Sequence, residues 1–100
     1  MGIFRFKRFE VRNDLSAMKV NTDGVLLGAV TEVFPRDRHV LDVGTGTGTV
    51  ALMVAQRLEA VAESGCWMIQ GIDVDAPSVQ EASENFSHSP WRDHLSALGT

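Results

Sequence analysis

Phe4, Phe6, Phe9 and Val11 are interleaved with Arg5, Lys7, Arg8, Glu10 and Arg12 at the start of the chain. Alternation of this kind puts apolar side chains on one face of an extended segment, and its phase slips at Lys7 and Arg8, which predicts a turn or bulge there. Asn13, Asp14 and Ser16 mark a loop. Gly24 opens an apolar stretch with Val25, Leu26, Ala29, Val30 and Val33 at helical spacing, so a short helix is expected over 25–33. Pro35, Arg36, Asp37 and Arg38 break the pattern. The run Val40, Leu41, Asp42, Val43 that follows has the β-branched, apolar character of a strand buried on both faces.

Val50, Ala51, Leu52, Val54, Ala55, Leu58 and Val61 repeat with a period of about 3.6 residues, which predicts a helix, and Gly65 is the expected terminator. Cys66 to Ile72 reads as a second strand ending at Asp73. Asp75 is placed to cap a further helix that has Pro77 in its first turn and runs to about Phe86. His88, Ser89, Pro90 and Trp91 form a loop before a third strand at Leu95 to Leu98. Strand and helix in this order predict a parallel sheet with right-handed crossovers.

One hundred residues allow one domain at most and are few for a long parallel sheet. A composition of 44% hydrophobic and 22% charged residues excludes the disordered class and predicts a packed core. No apolar run approaches the roughly 20 residues that cross a bilayer, and the basic, aromatic first segment has no signal-peptide core, so a cytoplasmic protein without a membrane partner is expected. The single cysteine, Cys66, has no partner for an internal disulfide and is expected to be buried beside Trp67. The net charge of −4 is unevenly spread. Residues 1–20 hold five bases against two acids (+3), and the remaining 80 hold four against eleven (−7). A basic front on an acidic body could meet a polyanion at one end only.

The chemistry concentrates in Leu41-Asp42-Val43-Gly44-Thr45-Gly46-Thr47-Gly48. Glycines at alternate positions between a strand and a helix let the backbone turn sharply and bring main-chain N–H groups to a ligand at a helix N-terminus. The dinucleotide fingerprint Gly-x-Gly-x-x-Gly/Ala would need Gly or Ala at 49, where Thr49 stands; the third glycine falls one residue early. Asp73 closes the second strand, on the edge where open α/β sheets bind ligands. A carboxylate there can accept the hydroxyls of a ribose, or it can simply cap the next turn.

The acid-x-Gly-x-Gly-x-Gly pattern resembles motif I of the class I methyltransferases, which bind S-adenosyl-L-methionine. The segment Ala17-Met18-Lys19-Val20-Asn21-Thr22-Asp23-Gly24-Val25-Leu26-Leu27-Gly28-Ala29, most specifically its Lys-x-x-Thr-Asp-Gly stretch, with Phe4-Arg5-Phe6-Lys7 upstream and Ser89-Pro90-Trp91 downstream, resembles the bacterial enzymes that methylate the exocyclic amine of the adenine beside the anticodon of valine tRNA. The likeness runs through nearly the whole chain. It implies an α/β, Rossmann-like class I methyltransferase fold truncated to its first two or three parallel strands. Residues 1–38 would be an N-terminal extension closing the cofactor pocket, and 39–100 the first half of the cofactor-binding domain. It further implies that Asp42 lies near the amino-acid part of the cofactor, that Gly44, Thr45, Gly46 and Gly48 pass beneath it, that Asp73 and Val74 meet the adenosine, and that Lys19, Thr22 and Asp23 lie over the methionine end. Helix capping is the rival role for Thr22 and Asp23. Arg5, Lys7 and Arg8 would touch tRNA phosphates, with the phenylalanines near the pocket; alternatively these are the solvated and buried faces of a small hairpin.

One departure stands out. Amino-directed methyltransferases of this kind carry Asn-Pro-Pro-Tyr or a near variant after the fourth strand, and none of Pro35, Pro77 and Pro90 belongs to such a motif. No catalytic residue is therefore assigned within these residues. A methyltransferase of the same fold acting on ribosomal RNA, DNA or a protein glutamine stays open, as does a non-catalytic nucleic-acid-binding module. His39, His88 and His94 show no metal-ligand spacing, so no metal is expected.

Overall fold

Three parallel strands carry the architecture: β3 (His39–Val43), β4 (Met68–Asp73) and β5 (Leu95–Gly99), hydrogen-bonded in that order. The structure is a computed structural model and describes residues 2–16 and 19–100. Ala17 and Met18, the first two residues of the stretch carrying the family resemblance, lie outside the described residues. Before the sheet come an antiparallel hairpin, β1 (Ile3–Arg5) with β2 (Glu10–Arg12), and the helix α1 (Thr22–Val30). Helices α2 (Thr49–Val61) and α3 (Ala76–Ser87) cross over between the strands. Strand, helix and parallel order follow the expectation from the sequence, and the hairpin turns where the alternation slips, at residues 6–9.

Both crossover helices pack on one face of the sheet. Ile69 and Leu95, partners across β4 and β5, are buried there with Leu52, Ala55 and Leu58 of α2 and Ala82 and Phe86 of α3. Phe9, Val11, Trp67 and Trp91 complete this core, so the hairpin closes one side of it. The opposite face is open among the described residues. Leu41 is 57% exposed and Val43 72%, which corrects the expectation that this strand is buried on both sides. An apolar run shows that a strand calls for cover on two faces; here only one face has helices against it.

Three other boundaries differ from expectation, each for a local reason. The first helix starts at Thr22 because the Asn21 side chain accepts from Gly24 N–H at 2.8 Å, and it stops at Val30, where the Thr31 N–H and hydroxyl both donate to the Leu27 carbonyl. Arg57 adds to that end by donating to the carbonyls of Gly28 and Thr31. The second helix ends at Val61, with Ala62 after it extended at ψ 136°, and Gly65 does not adopt the left-handed conformation of a glycine terminator. Glu63 N–H instead donates to the Pro35 carbonyl, drawing the chain across to the start of β3. Cys66 is exposed; Trp67 is the residue buried at this strand entry, stacked on His94 at 3.9 Å. A single turn of 3-10 helix, Arg92–His94, leads into β5.

The buried stripe of α3 is mostly polar: Ser78, Glu81 and Asn85 lie beside Ala82 and Phe86. Glu81 has no solvent exposure, yet its carboxylate accepts four hydrogen bonds: the N–H groups of Asp14, Leu15 and Ser16 and the Ser16 hydroxyl, at 2.6 to 2.9 Å. Burial acts to raise its pKa, and the bonds from the Leu15 N–H, the Ser16 hydroxyl and the other two N–H groups together outweigh it, so Glu81 titrates below the ordinary value of 4.5. A carboxyl lowered by folding stabilises the protein above its unfolded pKa, and that stabilisation is lost as pH falls through the folded value. Glu81→Ala is expected to cost about 3 kcal/mol at neutral pH, since buried donors lose their acceptor. In acid the difference should shrink. Thermal unfolding of wild type and variant across pH checks this; a difference that does not change with pH would contradict it.

Candidate functional site

The carboxyl ends of β3 and β4 open into a cavity of about 650 Å³, within the range of small-molecule pockets. The register fixes what meets there. Asp42 pairs opposite Gly71 and Val43 opposite Ile72, so the chain leaves β3 beside Asp73. Gly44, Gly46 and Gly48 then adopt φ of 72°, 53° and 88°, a region costly for residues with a Cβ. Within this turn Gly44 N–H and Thr45 N–H both donate to the Ile72 carbonyl, at 2.8 and 2.9 Å, and Gly48 N–H donates to the Thr45 carbonyl at 2.7 Å. The loop is therefore strapped to the neighbouring strand.

Two aspartates tie the loop from below. Asp42 Oδ2 accepts from the Thr45 hydroxyl at 2.8 Å, and the Thr45 side chain lies across β4 where Gly71 leaves room; a Cβ on Gly71 would overlap Thr45 Oγ1. Burial pushes the Asp42 carboxyl above the ordinary value of 3.8, against the Thr45 hydroxyl and Ala51 N–H, and the charge of Asp73 adds to the rise. Asp73 accepts from Gly46 N–H at 2.9 Å through one oxygen and from Asp75 N–H at 2.9 Å through the other. Its capping role is thus real, and each oxygen keeps a further lone pair for a ligand hydroxyl. Asp75 caps α3, accepting from the Ser78 N–H and hydroxyl.

The cavity wall includes seven of the residues singled out in the sequence: Lys19, Asp23, Asp42, Gly44, Thr45, Gly46 and Asp73. Three others are absent from it. Gly48 is buried against Phe86, which a Cβ there would strike; Val74 is 85% exposed; and Thr22 is exposed on the first turn of α1, whose capping is done by Asn21. Val20, Asn21, Leu27, Val43, Val50 and Ser78 also line the cavity and were not expected. The proximity of Leu27 and Val50 depends on α1 packing against α2, a contact between elements that no local pattern announces. Four carboxylates, those of Asp23, Asp42, Asp73 and Asp75, and one lysine, Lys19, surround the cavity.

The basic front is elsewhere. Arg5, Lys7 and Arg8 are not on the cavity wall, and neither are Phe4, Phe6 and Phe9. Arg8 pairs with Glu59 at 2.9 Å and stands 5.3 Å over the Trp91 ring. Glu59 is ten residues along α2 from Thr49 at the cavity, about 15 Å of helix. The expectation that the phenylalanines sit near the pocket is therefore corrected: Phe6 stacks on Phe9 and Phe9 meets Trp91 edge-on, holding the hairpin tip at the opposite end of the sheet. Arg5 is paired with Glu10 across the hairpin at 2.7 Å.

A glycine loop strapped between parallel strands, with an acid at or next to the end of each strand and the loop leading into a helix, is a Rossmann-like arrangement. The model of the family "Ribosomal protein L11 methyltransferase (PrmA)" matches residues 21–98, and the chain belongs to this methyltransferase family. Curated relatives match further towards the N-terminus. Proteins named tRNA1(Val) (adenine(37)-N6)-methyltransferase are 46% identical over 93 residues in Flavobacterium psychrophilum, 47% over 97 residues in Vibrio parahaemolyticus and 48% over 92 residues in Phocaeicola vulgatus. These alignments cover 93%, 97% and 92% of this chain and 37%, 38% and 36% of the relatives, so the chain spans little more than a third of their length. The crystal structure of YjhP from E. coli superimposes with a TM-score of 0.57 at 17% identity, over 81% of this chain and 30% of that one, a likeness of fold. Among the described residues no group of His, Cys, Asp and Glu could hold a metal ion, and no helix is long and apolar enough to cross a membrane.

Proposed function

We propose that these residues form the S-adenosyl-L-methionine-binding part of an enzyme that methylates the exocyclic amine of an adenine in tRNA, with valine tRNA as the acceptor. The observation that carries the cofactor reading is the charge of the cavity. Four carboxylates and a single lysine suit a ligand with a sulfonium and an ammonium group and one carboxylate; they oppose the pyrophosphate of a dinucleotide. The cofactor supplies a methyl group on a positively charged sulfur. In this reading Asp73 accepts from the ribose hydroxyls, Gly44 and Gly46 let the backbone come close, Asp42 faces the amino-acid end, Asp23 takes the ammonium group and Lys19 the carboxylate. Val74, Thr22 and Gly48 act from outside the wall, Gly48 by shaping the turn.

The acceptor is proposed from the relatives, whose printed names specify the adenine and the tRNA. Residues 1–38 act as the extension that carries the pocket rim, and 39–100 as the start of the cofactor domain. Lys7 of the basic front remains available for an RNA phosphate, whereas Arg5 and Arg8 are engaged by Glu10 and Glu59. Work in the cytoplasm, where tRNA is modified, agrees with this reading.

Calorimetry with the 100-residue chain tests the cofactor assignment. S-adenosylmethionine should bind, Asp73→Ala should weaken it by about 1–3 kcal/mol through loss of charge-assisted hydrogen bonds, and NAD should not compete. Unchanged affinity in Asp73→Ala would remove the ribose role. The acceptor is tested with a hybrid in which these residues replace the matching segment of the Vibrio parahaemolyticus relative. That hybrid should methylate valine tRNA, and a hybrid that folds and binds cofactor but leaves valine tRNA unmodified would contradict the assignment.

A further inference from the structure

The polar stripe on α3 reaches both walls of the cavity: Ser78 lines it, and Glu81 and Asn85 touch its walls from behind. Asn85 Nδ2 donates to the Thr47 carbonyl in the glycine loop at 2.8 Å and to the Arg12 carbonyl at 2.9 Å, while Asn85 Oδ1 accepts from Arg12 N–H at 2.8 Å. Phe86, the next residue, backs Gly48. One turn earlier Glu81 takes the three successive N–H groups of residues 14–16 and the Ser16 hydroxyl. A turn earlier again, Ser78 is itself part of the cavity wall.

Ser16 is three residues from Lys19, where the rim of the cavity begins, so at most about 11 Å of chain separates the Glu81 clamp from the rim. The other end of the rim runs into α1, which is seated on α2 by Gly28 against Met53 and by Arg57 on the α1 carbonyls. The segment Lys19–Gly24 is thus strung between two anchors, of which one is a single buried carboxylate. We infer that Glu81 and Asn85 are positioning residues for the cofactor pocket: Glu81 sets the N-terminal rim, Asn85 sets the glycine loop, and their place one turn apart on a rigid helix fixes the distance between the two walls.

Burying a carboxylate is costly, and an apolar side chain at 81 would serve packing alone with less penalty. What the carboxylate adds is a defined geometry for three consecutive backbone groups in a segment outside both helix and strand. A ligand held between rim and loop loses affinity when either wall drifts, even though neither Glu81 nor Asn85 touches it.

The inference rests on the cofactor reading above, and its test separates the two. Glu81→Gln keeps the shape but turns an NH₂ group towards backbone donors. Ser16→Ala removes one of the four bonds and is the milder variant should Glu81→Gln not fold. Leu58→Val, in the core near the far end of α2, is the control for general destabilisation. In the 100-residue chain, at a temperature where circular dichroism shows each variant folded, Glu81→Gln should weaken S-adenosylmethionine binding by about tenfold, Ser16→Ala by about threefold, and Leu58→Val by less than about twofold. Amide hydrogen exchange should rise in residues 19–24 in the first two variants and stay unchanged in β4. Wild-type affinity in folded Glu81→Gln and Ser16→Ala, or losses matched by Leu58→Val, would overturn the inference. Should the wild-type chain not bind S-adenosylmethionine, the cofactor reading falls alone, and the exchange comparison still decides: faster exchange confined to 19–24 upholds the clamp, and no change there ends it.

Discussion

The parallel register between β3 and β4 is the constraint on which the site depends. With Asp42 opposite Gly71 and Val43 opposite Ile72, the chain emerging from β3 is one residue short of the level of Asp73, and the Ile72 carbonyl is in reach of the N–H groups of both Gly44 and Thr45. Moving the register by one residue would turn Asp42 to the open face of the sheet and move Asp73 away from Gly46. The small residue at 71 belongs to the same constraint, since it is what lets Thr45 lie across β4 and donate to Asp42. Left-handed glycines, strand-end acids and the small strand residue are therefore one arrangement seen from three places.

A second feature is the use of a crossover helix as a frame. An amphipathic helix ordinarily offers an apolar stripe to the sheet. Helix α3 offers Ala82 and Phe86 to the core and, beside them, Glu81 and Asn85 to backbone groups more than sixty residues away in sequence. The apolar members hold the helix on the sheet, and the polar members hold irregular chain on the helix. A loop cannot bury its N–H groups without partners, so the segment at 14–16 is packed only because a carboxylate is brought to it.

Much of this was legible in the sequence where a residue type is forced by local geometry. Alternating left-handed positions call for glycine, so the strand, turn and helix around Gly44 to Gly48 could be read directly, as could the start of α3 from Asp75 and Pro77. What escaped depends on distant partners. The open face of β3 was hidden because Leu41 and Val43 look like residues of a two-sided core whether or not the cover is at hand. Glu81 and Asn85 were not singled out, since no local motif marks them, although both fall on the stripe set by Ser78, Ala82 and Phe86, and that spacing was the available signal. The hairpin pattern announced a buried and a charged face but not its direction; Trp91 and Glu59, far along the chain, decide that it points away from the cavity.

The central claim is that one cavity, walled by the glycine loop, Asp73 and the Lys19–Gly24 rim, takes S-adenosylmethionine. Backbone amide chemical shifts recorded while the chain is titrated with S-adenosylmethionine, and separately with NAD, address it most directly. The account predicts saturable shifts at Gly44 to Thr47, Asp73 to Asp75 and Lys19 to Gly24 with S-adenosylmethionine, little change in the hairpin at Phe6 to Phe9, and none of this with NAD. Shifts centred on the hairpin or the open sheet face, or an equal response to NAD at the glycine loop, would contradict it.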